Sequence, residues 1–242
     1  MVRLIPRSIA RRGAFLTELL FPKVFGWCDF KRGRRFGRPF NGQSGRMRLA
    51  ERVIAECEFD CFVETGTWRG GTTAWFADTG QPVYTVELNP RWAHFSRLRF
   101  GQNDHVHLAE MDSAAFLKSL ATNARITESR VMFYLDAHWN DRLPLAEELQ
   151  IIASNFPSSV VMIDDFQVPD DPGYGFDDYG PGKRLDVDYV VRSGVAEFDF
   201  FFPALPGSEE TGARRGCVVL THNPGMAARL RRVPLLRMIA VR

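Results

Sequence analysis

Six stretches of this sequence hold residue types that do chemistry. The first is Phe62-Val63-Glu64-Thr65-Gly66-Thr67-Trp68-Arg69-Gly70-Gly71-Thr72, where a carboxylate and three glycines follow an apolar run. A glycine turn at a strand end lets backbone approach a ligand without Cβ clashes. Its E-x-G-x-x-x-G-G spacing is not the G-x-G-x-x-G of a nicotinamide turn. It suits a nucleoside with an amino-acid tail better than a pyrophosphate, so Glu64, Gly66, Thr67, Gly70 and Gly71 are candidate cofactor contacts. Glu87 ends a second apolar run at about the twenty-residue interval expected of a ribose-binding acid, and its carboxylate can accept from both ribose hydroxyls. Asp112, after a third run, meets an adenine amino group or caps the helix that Ser113 and Ala114 begin.

Two further run ends carry Tyr134-Leu135-Asp136-Ala137-His138-Trp139 and Val161-Met162-Ile163-Asp164-Asp165-Phe166. Three carboxylates meeting at one rim repel unless a cation or proton lies between them. Oxygen ligands suit a hard ion such as Mg²⁺. On that expectation, neutralising one of the three raises the stability of the metal-free protein. The competing reading is that Asp164 and Asp165 only bond backbone in the turn after the strand. His138 is either a proton acceptor or a hydrogen-bonding wall residue. Beyond them, residues 169–182 are rich in Gly, Pro and Asp, with Tyr174, Phe176 and Tyr179 as flat surfaces. Such a loop at a ligand rim reads as a substrate lid, with a solvated acidic loop as the alternative.

Positioning these residues requires a sheet. Apolar runs begin at Cys61, Val83, Val106, Val131, Val160, Phe198 and Cys217, and the first five are separated by segments of mostly helical spacing. The alternation predicts an α/β fold: a doubly wound, Rossmann-like, mostly parallel seven-stranded sheet with helices on both faces. The last two runs lack a helix between them, which predicts an antiparallel edge hairpin. Ligands of such sheets lie beyond the carboxyl ends of the strands, where the motifs above fall.

The 242 residues are 45% hydrophobic and 25% charged, which excludes a mainly disordered chain. No apolar run reaches the length of about 18 residues needed to span a membrane. Cys28, Cys57, Cys61 and Cys217 form no CxxC pair, so free thiols in a reducing, cytoplasmic compartment are expected rather than a zinc site. Charge is unevenly spread. Residues 1–48 hold twelve Arg and Lys against Glu18 and Asp29, and residues 226–242 hold five Arg and no acid. Residues 1–48 therefore read as a basic extension and linker, and 49–242 as the domain. The extension is a solvated arm, a membrane-surface segment in which Phe15, Leu19, Phe21, Val24 and Trp27 interleave with Arg and Lys, or a transit peptide.

These motifs resemble class I S-adenosylmethionine-dependent methyltransferases. Val63–Thr73, VETGTWRGGTT, is similar to the cofactor turn of the macrocin O-methyltransferase group, which acts on sugars and other hydroxyls. The resemblance spans roughly residues 61–179, whereas VELNP after the second run is nearer the general methyltransferase pattern. It implies S-adenosylmethionine as cofactor and three aspartates around a divalent ion, with Asp136, Asp164 and Asp165 at the matching positions. It also implies an oxygen acceptor, because Asp-Ala-His-Trp replaces the Asn-Pro-Pro-Tyr of enzymes acting on base nitrogens. The expected activity is Mg²⁺-dependent O-methylation of a small-molecule or glycan hydroxyl, with His138 or Asp136 taking the proton. The alternatives are a metal-independent methyltransferase and a non-catalytic peripheral membrane or binding protein. Nucleic acid is disfavoured, since the basic ends lie away from the predicted rim.

Overall fold

The computed structural model describes residues 21–31, 36–138, 143–195 and 198–239. Five apolar runs become strands β1 (Cys61–Thr65), β2 (Val83–Glu87), β3 (Val106–Glu110), β4 (Val131–Leu135) and β5 (Ser159–Ile163), all mutually parallel. With β6 (Asp199–Pro203), β7 (Val218–Thr221) and β8 (Leu236–Ile239) they form one sheet, ordered β3-β2-β1-β4-β5-β7-β6-β8. The seven-strand expectation needs correction on one side. β6 and β7 do pair antiparallel, but β7 lies beside β5 and an eighth strand takes the edge. β8 is Leu-Arg-Met-Ile, and a charge inside so short a run conceals it while protecting an edge strand from further pairing.

The helices are α1 (Pro22–Lys31), α2 (Ser44–Cys57), α3 (Gly71–Ala77), α4 (Pro90–Phe100), α5 (Ser113–Leu120), α6 (Ala124–Thr127), α7 (Leu145–Asn155), α8 (Val187–Arg192) and α9 (Pro224–Leu230). Strand alternation divides the core into two layers. Val63, Phe133, Leu135, Val161 and Ile163 pack with Leu117 of α5 and Leu149 of α7. Phe62, Met132, Tyr134, Val160 and Met162 pack with Val53 of α2, Phe76 of α3 and Leu230 of α9.

Residues 36–48, which composition assigns to a linker, belong to the body. Phe40 is fully buried among Trp75, Phe76 and Tyr134. The first amides of α2 have no local cap; the Glu210 carboxylate accepts from Gly45 N–H at 2.8 Å and Arg46 N–H at 2.9 Å. α1 lies along α4, with Asp29 paired to Arg91. It leaves Phe21, Val24 and Trp27 exposed, three residues apart, beside Lys23 and Lys31. The rest of the expected interfacial segment, residues 1–20, lies outside the described residues. Among those described, no helix is long and apolar enough to cross a membrane.

One buried acid in this frame gives a pH prediction. Glu148, in the first turn of α7, is 1% exposed, and burial raises its pKa to about 7; Ser113 and Thr65 offset this only in part. A carboxyl held above its unfolded value of about 4.3 adds stability below that value and loses it as pH rises through 7. Glu148→Gln should therefore match the parent at pH 4 and exceed it by about 3 kcal/mol at pH 8. Urea unfolding at the two pH values checks this, and an equal effect at both would exclude a titrating Glu148.

Candidate active site

The glycine turn after β1 is built as its composition demands. Gly66 has φ +91°, and a Cβ there would collide with the Asp136 carbonyl. Gly70 has φ +69° and caps α3, but its added Cβ would strike the Phe100 ring. Gly70 therefore serves backbone conformation and packing against α4. Glu64 is 2% exposed, accepting from Thr73 Oγ1 at 2.5 Å and Thr85 Oγ1 at 2.7 Å, and burial raises its pKa to about 7. Thr67 Oγ1 bonds Thr85 Oγ1 at 2.6 Å.

Glu87 stands at the end of β2 with its carboxylate fixed by backbone. Trp68 N–H donates to Oε2 at 2.7 Å and Asn89 N–H to Oε1 at 2.8 Å. Burial raises its pKa, and these N–H bonds pull the other way. Asp112 caps α5, accepting from Ala115 N–H at 3.0 Å, which is the capping role the sequence offered beside the adenine role.

A small cleft opens beside the turn, lined by Glu64, Gly66, Thr67, Gly71 and Asp136. Gly37, Arg38, Asn41, Trp68, Thr72 and Tyr134 complete its wall. The 37–41 strap is pinned there by Phe40 N–H donating to Thr72 Oγ1 at 3.1 Å and by Ala213 N–H donating to the Asn41 carbonyl at 3.3 Å. Sequence reasoning missed the strap because its Gly, Arg and Pro content has no apolar period.

The acidic rim departs from expectation at one residue. Asp136 and Asp165 come together with His138, one ligand atom of each lying within 4.8 Å of the others. Asp164 is directed elsewhere. Alternation sends it to the same side as Tyr134 and Met162, where it is fully buried. There it pairs with Arg46, accepts from Tyr134 Oη at 2.6 Å, and lies 3.3 Å from Asn41 Nδ2. The expected trio of Asp136, Asp164 and Asp165 thus becomes Asp136, His138 and Asp165. Asp165 reaches the rim through a left-handed φ of +52°, which breaks the strand pleat.

His138 is 3% exposed, and its Nε2 is buried without a hydrogen-bond partner. Burial lowers its pKa, so the imidazole is neutral and able to donate a lone pair. Asp136 is raised well above the carboxylate range by burial and then by Asp165. Two carboxylates and an orphaned imidazole nitrogen fit a divalent cation such as Mg²⁺ or Mn²⁺.

No protein-family model and no curated protein matches the sequence. Among solved structures, a Podospora anserina methyltransferase bound to SAH is 16% identical, covering 91% of this chain and 98% of its own with a TM-score of 0.51. An O-methyltransferase from Bacillus cereus in complex with SAH is 16% identical, covering 73% of this chain and 79% of its own with a TM-score of 0.52. The chain has the fold of these methyltransferases. Neither likeness singles out the macrocin O-methyltransferase group.

In this methyltransferase fold the aromatic loop after β5 is unequal along its length. Tyr174 is 4% exposed and its hydroxyl donates to the Leu205 carbonyl at 2.9 Å, so it anchors the loop in the core and is not a substrate surface. Phe176 is half-buried beneath Arg184. Of the three, only Tyr179 reaches the cluster: its hydroxyl lies 2.8 Å from the His138 carbonyl and also meets Asp177.

Proposed function

We propose that this chain is an S-adenosylmethionine-dependent methyltransferase acting on a hydroxyl of a small molecule or sugar, with Mg²⁺ or a similar ion at the acidic rim. The observation that carries the reading is Asp136, which lines the cleft beside the glycine turn and also belongs to the cluster with His138 and Asp165. A cofactor in the cleft and a hydroxyl at the cluster would therefore be neighbours, and proximity is most of what methyl transfer requires.

When bound, S-adenosylmethionine supplies an electrophilic sulfonium methyl, and the ion supplies charge that lowers a hydroxyl's pKa. The chain's own residues do the rest. Glu87 would present its backbone-fixed carboxylate oxygens to the ribose hydroxyls, while Gly66 and Gly71 let the turn pack closely against the Asp136 and Gly37 carbonyls. Asp136, His138 and Asp165 would hold the ion. With the ion held, the Asp136 carboxylate oxygen not spent on it would be the proton acceptor beside the hydroxyl, and His138 Nε2 would take that role only where it is not an ion ligand.

Glu87→Ala should weaken S-adenosylmethionine binding by about 2–3 kcal/mol, the size of hydrogen bonds to a charged group. Calorimetry measures this, and unchanged affinity in a folded variant would remove Glu87 from the site.

A second reading, transfer without a metal, is favoured by Arg215, whose guanidinium already balances Asp165 at 2.6 Å. Nucleic acid is a poor partner because the C-terminal arginines are partly neutralised: Arg229 pairs with Glu58, Arg231 with Asp199 and Arg232 with Glu56. Peripheral membrane contact has the exposed Phe21, Val24 and Trp27 face as its support. The four free thiols fit a cytoplasmic setting.

A further inference from the structure

Arg215 is tied into the site more tightly than a surface ion pair. Buried Gln43 holds its main chain at both ends: Oε1 accepts from Arg215 N–H at 2.8 Å, and Nε2 donates to the Arg215 carbonyl at 2.8 Å. Arg46 donates to the same carbonyl. From this fixed point the guanidinium bridges two carboxylates, reaching Asp165 Oδ1 through Nε at 2.6 Å and Asp177 Oδ1 through Nη2. Asp177 N–H in turn donates to the Asp165 carbonyl at 2.8 Å, and Tyr179 links Asp177 to His138.

We propose that Arg215 is a positioning residue for the ion site. By holding Oδ1 of Asp165 it leaves the second oxygen to a divalent cation shared with Asp136 and His138. Through Asp177 and Tyr179 it also holds the aromatic loop against that cation. The proposal rests on the ion-dependent reading above.

Two effects of the guanidinium oppose each other. A positive charge near the site repels a second cation, while a fixed donor removes the cost of ordering it. Asp177 decides between them. It compensates the Arg215 charge, so the Arg215–Asp177 pair is close to neutral as seen from the ion, and the ordering effect dominates. Groups that orient metal ligands in this way are worth about 10–100-fold in affinity.

The test is titration of the full chain with Mn²⁺, reading free aqueous Mn²⁺ by electron paramagnetic resonance. Arg215→Ala should bind Mn²⁺ about 10–100-fold more weakly than the parent. Arg215→Lys should recover only part of the loss, because a single ammonium cannot bridge both carboxylates. Affinity equal to or tighter than the parent's in either variant would make Arg215 a bystander or a competing cation and overturn the proposal. Should Arg215→Ala fail to fold, Arg215→Lys decides by the same criterion. A parent chain that binds no Mn²⁺ overturns the ion-dependent reading and this proposal together. Failure of the proposal alone shows a parent that binds and variants that bind as well.

Discussion

Asp164→Asn should destabilise the protein by about 3–5 kcal/mol, the usual cost of leaving one member of a buried ion pair alone. Arg46 and Asp164 are 2% and 0% exposed, so solvent cannot take over the lost charge. Tyr134 Oη also loses a charged acceptor. For a domain of this size the melting temperature should fall on the order of 10 °C. The sign opposes the expectation from three crowded carboxylates, in which neutralising one relieves repulsion. Calorimetric melting in EDTA distinguishes them: a melting temperature that rises or stays level would mean that Asp164 is not a satisfied ion-pair partner.

EDTA should abolish methyl transfer, by about 10³-fold if the ion contributes several kcal/mol to the transition state. S-adenosylmethionine should remain bound, because Glu64, Gly66, Thr67 and Glu87 come from the ends of β1 and β2, apart from His138 and Asp165. Mg²⁺ should restore the rate. Asp165→Asn should need far more Mg²⁺ for the same rate, since it removes one ligand charge. Undiminished activity in EDTA would instead select the metal-independent reading, with Arg215 as the resident cation.

The parts legible in sequence were those with local causes. β1 to β5 announce themselves as apolar runs, and the turn from Glu64 to Gly71 announces itself by glycines whose conformations are locally required. The missed parts depend on distant partners. α2 has apolar residues Leu49, Val53 and Cys57 at helical spacing, but Glu210, far along the chain, caps its first turn. Which aspartate of the Asp164-Asp165 pair faces the rim depends on where the pleat ends. The left-handed kink at Asp165 gives no compositional sign of this. The partner waiting for Asp164 is Arg46, in a segment whose basic composition resembles a solvated arm.

The closing of the strap by Glu210 and Gln43–Arg215 has a consequence for biosynthesis. A ribosome releases residues 37–46 long before residues 210–215, and every bond between them closes a loop of well over a hundred residues. A nascent chain halted before Glu210 has the strands β1 to β5 but neither the cap of α2 nor the clamp on Arg215. Loops of that length are entropically expensive and form late. β1 and its glycine turn are therefore synthesised long before the groups that complete the cleft and rim, and assembly of the site waits until Glu210 to Arg215 have emerged.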